Sequence, residues 1–259
     1  MISEKNQVKF GFKFGQAGAH ASRTIMLAEL ELLFEATPQN FTLDEYRKAI
    51  EQTNVLNKGT SKTRTLTFRH LVDLYGLEHR LALFRAFRRL WDVDELARPV
   101  LACQLALTRD ALLRLSQQKI LSLELNEVLP RVDMEAVFEE RFPQRFSTAT
   151  LKSLAQNINA SWTYAGFLKG RSKKYRGIPI IRPANVVFAL FTAYLQGATG
   201  NRLFASEWLK ILEYREEELL ELAVFASHAG LITFKHASEI IEVSFPNYLT
   251  TEEEAWLHE

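Results

Sequence analysis

Apolar residues recur three and four positions apart over most of the first two thirds of the chain, with few Gly or Pro inside the segments, which predicts a mainly α fold. The first helix is expected from Ser22 to Phe34, starting on a cap-competent serine. Thr42 and Glu45 in "FTLDEYRKAIEQ" fit a capping box that opens the next. A third covers "SKTRTLTFRHLVDLY", with Phe68, Leu71, Val72 and Tyr75 on one face. A fourth, from Leu77 to about Trp91, sets Arg85, Arg88 and Arg89 on a single side. Further helices follow Pro99, start at Thr108, and run from Asp133 to Phe142. Residues 1–145 thus read as an amino-terminal helical bundle.

From Phe146 the pattern changes. Leu151, Leu154, Ala155, Ile158, Trp162 and Ala165 make one apolar stripe, while Lys152, Gln156, Asn159 and Thr163 make a polar one. Gly166 is a helix stop, and "FLKGRSKKYRGIPII" fits two short strands around a basic loop, closed by Pro183. Helix, strand, loop and strand in that order predict a winged helix. A similar unit returns near the end: a helix from about Glu216, a stop at Gly230, a strand through Leu231 to Phe234, a turn at His236 to Ser238, and a strand in which Ile241, Val243 and Phe245 alternate with Glu242 and Ser244. Helices are expected between the units at Asn185–Gly197 and Ser206–Leu212. Residues 146–259 read as a winged-helix-like region with short β-hairpins, a basic loop and an acidic end.

Charge sharpens this picture. The formal net charge is +1, yet from Ala205 to Glu259 three Lys or Arg stand against twelve Glu, a balance of −9 that leaves +10 on residues 1–204. The basic loop carries Lys169, Arg171, Lys173, Lys174 and Arg176, and burying such cations unpaired costs too much, so the loop is expected at the surface. On a winged helix it would lie along a nucleic-acid backbone, where Lys and Arg displace counterions. The preceding helix would offer Lys152, Gln156, Asn157 and Asn159 to phosphates or base edges, and Tyr175 could stack or touch sugar. A merely solvated loop is the other reading. Lys58, Lys62, Arg64 and Arg69 are candidate extensions of the positive surface, as is the Arg85, Arg88 and Arg89 face, unless these groups are ordinary solvated faces or pair with acids such as Asp73 and Glu78. The acidic helix with Glu216, Glu217, Glu218 and Glu221 would repel phosphates, so the second unit reads as a packing or protein-contact module.

Other chemistry finds little footing. With 259 residues and 47% hydrophobic composition the chain can bury a substantial core, and its longest mostly apolar run, Asn185–Leu195, falls short of the roughly 20 residues a membrane span needs. The start "MISEKNQVKF" has no secretory pattern, so a soluble cytoplasmic protein is expected. Cys103 falls with Val100 and Leu107 on a core face. The six histidines show no zinc-ligand spacing, and no cofactor or metal is expected. "GFKFGQAGAH" matches neither the phosphate loop nor the dinucleotide fingerprint and reads as a flexible lead-in to the first helix. No two carboxylates pair convincingly into an acid and base, so no catalytic residue is assigned.

Four segments in order, "GFKFGQAGAHASRTIMLAELELL", "TNVLNKGTSKTRTLTFRHLVDLYGL", "FSTATLKSLAQNINASWTYAGFLKG" and "LLELAVFASHAGLITFKHASEIIEVSF", resemble the BrxA family of the BREX bacteriophage-exclusion systems. The resemblance spans most of the chain and rests on diffuse helical patterns with marked positions Asn54, Leu56, Thr150, Asn157, Trp162 and Gly166. It implies a helical DNA-binding accessory protein, without catalysis of its own, that works beside other BREX components. It supplies no catalytic residues. The expected partner is therefore double-stranded DNA; the alternative is an adaptor that docks on proteins of a defence complex and does not bind nucleic acid itself.

Overall fold

The computed structural model describes residues 2–237 and 240–258. In chain order the helices are α1 (Glu4–Phe10), α2 (Leu27–Glu35), α3 (Leu43–Glu51), α4 (Ser61–Tyr75), α5 (Ala82–Trp91), α6 (Arg98–Arg109) and α7 (Ala111–Leu121). Strand β1 (Val128–Leu129) precedes α8 (Arg131–Arg141) and α9 (Thr148–Tyr164), which lead into β2 (Leu168–Lys169) and β3 (Lys174–Arg176). Then come α10 (Pro183–Tyr194), α11 (Asn201–Phe204), α12 (Glu207–Lys210), α13 (Glu216–His228), β4 (Thr233–Ala237), β5 (Ile240–Ser244) and α14 (Thr251–Trp256). Among the described residues the fold is mainly α, with two small antiparallel sheets.

The chain groups into two compact units, each assembled from separated segments. One comprises residues 1–12, 80–104 and 180–259, the other residues 13–79 and 105–179. Position 145 lies inside the second, between α8 and α9.

The second unit holds a winged-helix-like arrangement in the succession α7, β1, α8, α9, β2, β3. Its sheet runs β1-β3-β2, with Val128 opposite Tyr175 and Leu168 opposite Arg176. Helix α9 buries Leu154, Ala155, Ile158 and Trp162 of the expected stripe, with Ala165 buried at its C-cap and Leu151 only half-buried, and packs against α8, which contributes Met134 and Phe138. Trp162 is fully buried, its Nε1 donating to Ser116 Oγ at 2.7 Å and its ring meeting Phe167 edge-on at 5.0 Å. Burial of a side chain that size is worth several kcal/mol, about 3–5 by the cost of truncating one to alanine. In the same unit the capping box of α3 is formed as expected, Thr42 N–H donating to Glu45 Oε2 at 2.7 Å and Glu45 N–H to Thr42 Oγ1 at 3.3 Å.

Three helix starts lie three or more residues later than the sequence reading has them; the one expected at Thr108 is α7 at Ala111, because Thr108 belongs to α6 and Asp110 caps α7. Ser22 does not cap a helix: residues 19–21 form a short 3₁₀ turn, and α2 begins at Leu27 behind Met26, whose φ is 51°. The reason is tertiary. The Ile25 side chain is fully buried, its N–H donates to Ser161 Oγ at 2.9 Å and its carbonyl accepts from Tyr75 Oη, so its backbone groups are drawn out of any helical ladder. Likewise residues 77–81 are not helical, because Gly76 (φ 85°) and Leu77 (φ 52°) stop α4, and α5 starts at Ala82.

In the first unit α10 is the central element, buried from Ala184 to Ala193 and packed against α5, α12 and α13. Its one amide there, Asn185, is satisfied: Nδ2 donates to Ala97 O at 3.0 Å and Oδ1 accepts from Arg182 N–H at 2.9 Å. The basic face expected on α5 is occupied. Arg85 pairs with Glu253, Arg88 is buried and pairs with Asp92 at 2.7 Å, and Arg89 lies 4.6 Å from the Tyr248 ring. The hairpin β4–β5 alternates as expected, burying Phe234 and Ile241. His236 and Ala237 are strand residues that pair with Ile241 and Ile240, so His236 does not belong to the expected turn; Ser238, assigned to that turn, lies outside the described residues. Among the described residues no helix is long and apolar enough to cross a membrane.

Candidate nucleic-acid interface

Helix α9 opens on Ser147, whose hydroxyl accepts from Thr150 N–H at 3.2 Å. With its apolar stripe inward, Lys152, Ser153 and Gln156 are exposed, and Lys152 and Gln156 stand one turn apart on the same side. The second half of the helix is covered by the 19–21 turn and by Ile25, which changes the expected surface. Asn159 is only 4% exposed, and Asn157 is half-buried with its Nδ2 donating to His20 O at 3.1 Å. The sequence pattern turns both amides toward nucleic acid; the segment lying over the helix takes that role from them.

The loop between β2 and β3 is the wing. Gly170 has φ 95°, and a Cβ there would sit 2.2 Å from Lys173 O, so the tight return needs glycine. Lys169, Arg171 and Lys173 are exposed; Lys174 is half-exposed, and burial lowers its pKa. Their contacts are with neutral groups: Lys169 Nζ donates to Asn126 Oδ1 at 2.6 Å, Lys174 Nζ donates to Gly170 O at 2.8 Å, and Lys173 Nζ lies 5.5 Å from the Tyr175 ring centroid. Among the described residues none of these four cations pairs with a carboxylate. Tyr175 is half-buried beneath the loop.

Arg176 does not belong to that surface. It is 4% exposed, its Nη1 donates to Phe167 O at 2.9 Å and to Gly177 O, and its guanidinium lies 5.7 Å from the Phe167 ring. Carbonyl acceptors and an aromatic face compensate the burial that was expected to forbid it, and that burial lowers its pKa. On α4, Lys62 and Arg69 are exposed and Arg64 is half-buried; that helix packs on α3 and on the 19–21 turn.

Two cations escape the sequence reading. Arg141 and Arg145, both exposed, flank the approach to α9; Arg145 lies 4.7 Å from the Phe142 ring and 5.2 Å from that of Phe146, and Arg141 lies 5.4 Å from Phe142. A signal for them exists in the sequence: no carboxylate occurs between Glu140 and Glu207. A pair of guanidiniums ahead of this helix is suited to a phosphate backbone.

The glycine-rich stretch follows α1 rather than leading into the first helix, and its end sits close against Asp110. A Cβ on Gly18 would fall 2.0 Å from Asp110 Oδ1. Next to it His20 is fully buried, Nδ1 2.9 Å from Asp110 Oδ2 and Nε2 2.9 Å from Ser161 Oγ. The order Ser, His, Asp has the spacing of a hydrolytic triad, but the Ser161 hydroxyl is fully buried and already accepts from Ile25 N–H, so no substrate can reach it. Burial pushes the Asp110 carboxyl up, yet the facing His20 ring and the N–H donors of His20 and Leu113 outweigh this and hold it below the ordinary carboxylate range. Among the described residues no group of His, Cys, Asp and Glu is placed to hold a metal ion. The chain matches no family model and no curated protein.

Proposed function

We propose that this chain binds duplex DNA without catalysing a reaction, gripping phosphates with the β2–β3 wing and the outer face of α9, and that it serves in the cytoplasm as an accessory of a bacterial anti-phage system of the BREX type. One observation carries the reading. Lys169, Arg171, Lys173 and Lys174 crowd an exposed hairpin with no carboxylate partner among the described residues, directly after a helix that presents Lys152 and Gln156 outward. Like charges held together repel one another, and a polyanion relieves that repulsion while releasing its condensed counterions. Arg141 and Arg145 extend the same charge to the start of α9.

The test is fluorescence anisotropy with a labelled duplex across a salt series, against single-stranded DNA and RNA competitors. Affinity should fall steeply with salt, and replacing Lys173 and Lys174 by alanine should weaken binding to all sequences alike. Undiminished affinity in that variant removes the wing from the interface.

A second reading, a protein adaptor, is favoured by the other hairpin module. Helix α13 exposes Glu216, Glu217 and Glu221 beside Phe225, which is 61% exposed, and Ile240 on β5 is 75% exposed. Such a surface suits a partner with basic and apolar groups. Co-purification of a protein that survives nuclease treatment, from a chain that ignores DNA, would decide for it.

A further inference from the structure

Three side chains far apart in sequence meet beneath α9. Asp110, the N-cap of α7, accepts from Leu112 and Leu113 N–H on Oδ1, both at 3.0 Å. On Oδ2 it takes the His20 backbone N–H at 3.2 Å and ring Nδ1 at 2.9 Å. Every lone pair of that carboxylate is thus committed to fixing the 18–20 segment on α7. The opposite edge of the ring reaches α9 through Ser161 Oγ, and the His20 backbone carbonyl accepts from Asn157 Nδ2 at 3.1 Å. Ser161 Oγ also lies 2.8 Å from Asn157 O and accepts from Ile25 N–H. A single residue therefore holds α9 at two positions one turn apart.

Apolar packing alone would leave this helix some freedom. The stripe from Leu154 to Ala165 fixes its depth, but hydrophobic burial has no direction, and small rotations or slides cost little apolar area. Hydrogen bonds have direction, and inside a dry site they are strong. Gln156 sits directly beside Asn157, and Lys152 one turn earlier, so any roll of α9 about its axis moves both outward side chains.

We propose that His20 is a positioning residue for nucleic-acid binding: anchored by Asp110, it sets the rotation of α9 through Ser161 and Asn157 and so aims Lys152 and Gln156 at the duplex. This rests on the DNA-binding reading above. His20 touches no DNA itself, being fully buried.

The experiment compares wild type with His20→Leu, His20→Gln and Ser161→Ala, at a temperature where circular dichroism shows each fully folded. Duplex affinity is read by anisotropy and local order by amide hydrogen exchange. His20→Leu should weaken binding about tenfold, as a misaimed contact does, and speed exchange in α9 while α3 keeps its protection. His20→Gln, able to keep one of the two side-chain contacts, should recover part of both. Wild-type affinity with wild-type α9 protection in His20→Leu overturns the proposal, and so does exchange that rises evenly through residues 13–79 and 105–179, which marks a purely structural loss. Should the wild type fail to bind duplex DNA at low salt, the functional reading falls. The seating role is then decided by α9 exchange alone: a selective rise supports it, and no selective rise ends it.

Discussion

Helix α9 with the β2–β3 hairpin and helix α13 with the β4–β5 hairpin follow one chain plan, a helix turning through a short break into two antiparallel strands, and carry opposite charge on it. The first has four cations at its hairpin with no carboxylate partner among the described residues; the second has Glu216, Glu217 and Glu221 exposed on its helix, and its hairpin cation, Lys235, faces Glu242 across the strands at 3.4 Å. Helix–hairpin shape is thus a scaffold in both, and the partner is chosen by what the scaffold displays. What lies beneath the helices differs as well. Helix α13 buries Leu219, Ala223 and Ala226, whereas α9 is pinned by a buried His and Asp. Directional anchoring accompanies the helix proposed to read a ligand.

This contrast can be broken experimentally. The largest effect is expected from reversing Lys169, Arg171, Lys173 and Lys174 to Glu: about a hundredfold or greater loss of duplex affinity at low salt, with a shallower salt slope in the anisotropy series. In that background, Glu216→Lys, Glu217→Lys and Glu221→Lys should restore salt-sensitive binding by about tenfold; if they restore none, charge on this plan is not sufficient. Lys152→Ala with Gln156→Ala should cost about three- to tenfold and reduce the salt slope by about one, as expected when a single lysine no longer reaches a phosphate. Arg176→Gln should change the affinity of the folded protein by less than about twofold while lowering the melting temperature, because its role is internal. A surface contact would reverse those two outcomes.

Acid should distinguish the modules too. Asp110 is held below its ordinary range in the folded chain, so its contribution is present above the unfolded value near 3.8 and is lost as pH falls through the folded one. Melting temperature should therefore drop below about pH 4, and Asp110→Asn should flatten that drop while lowering stability at neutral pH. Calorimetry from pH 7 to 3 on both proteins measures the difference.

Signals that act within one turn are legible in the sequence. Thr42 and Glu45 satisfy each other's backbone three residues apart, and α4 lies on the predicted segment from Ser61 to Tyr75 because cap and stop are local. What the sequence hides is decided at a distance. Ile25 is taken out of a helical pattern by Tyr75 and Ser161, and His20, Asp110 and Ser161 are separated by 90 and 141 positions in the contacts that join them. Strand β1 has two residues, too few for any period to show. Charge alone assigns Arg176 to the surface, but a guanidinium bridging two carbonyls over Phe167 is a core residue in all but name.

The winged-helix-like arrangement draws its anchor from the chain's first twenty residues, and this orders its birth. As the polypeptide leaves the ribosome, His20 emerges long before Asp110, and Asp110 before Ser161. The clamp on α9 cannot close until the last of them is free. A fragment beginning at α7 would contain every outward cation of the wing and still lack His20, whose ring and backbone carbonyl meet α9 at Ser161 and Asn157.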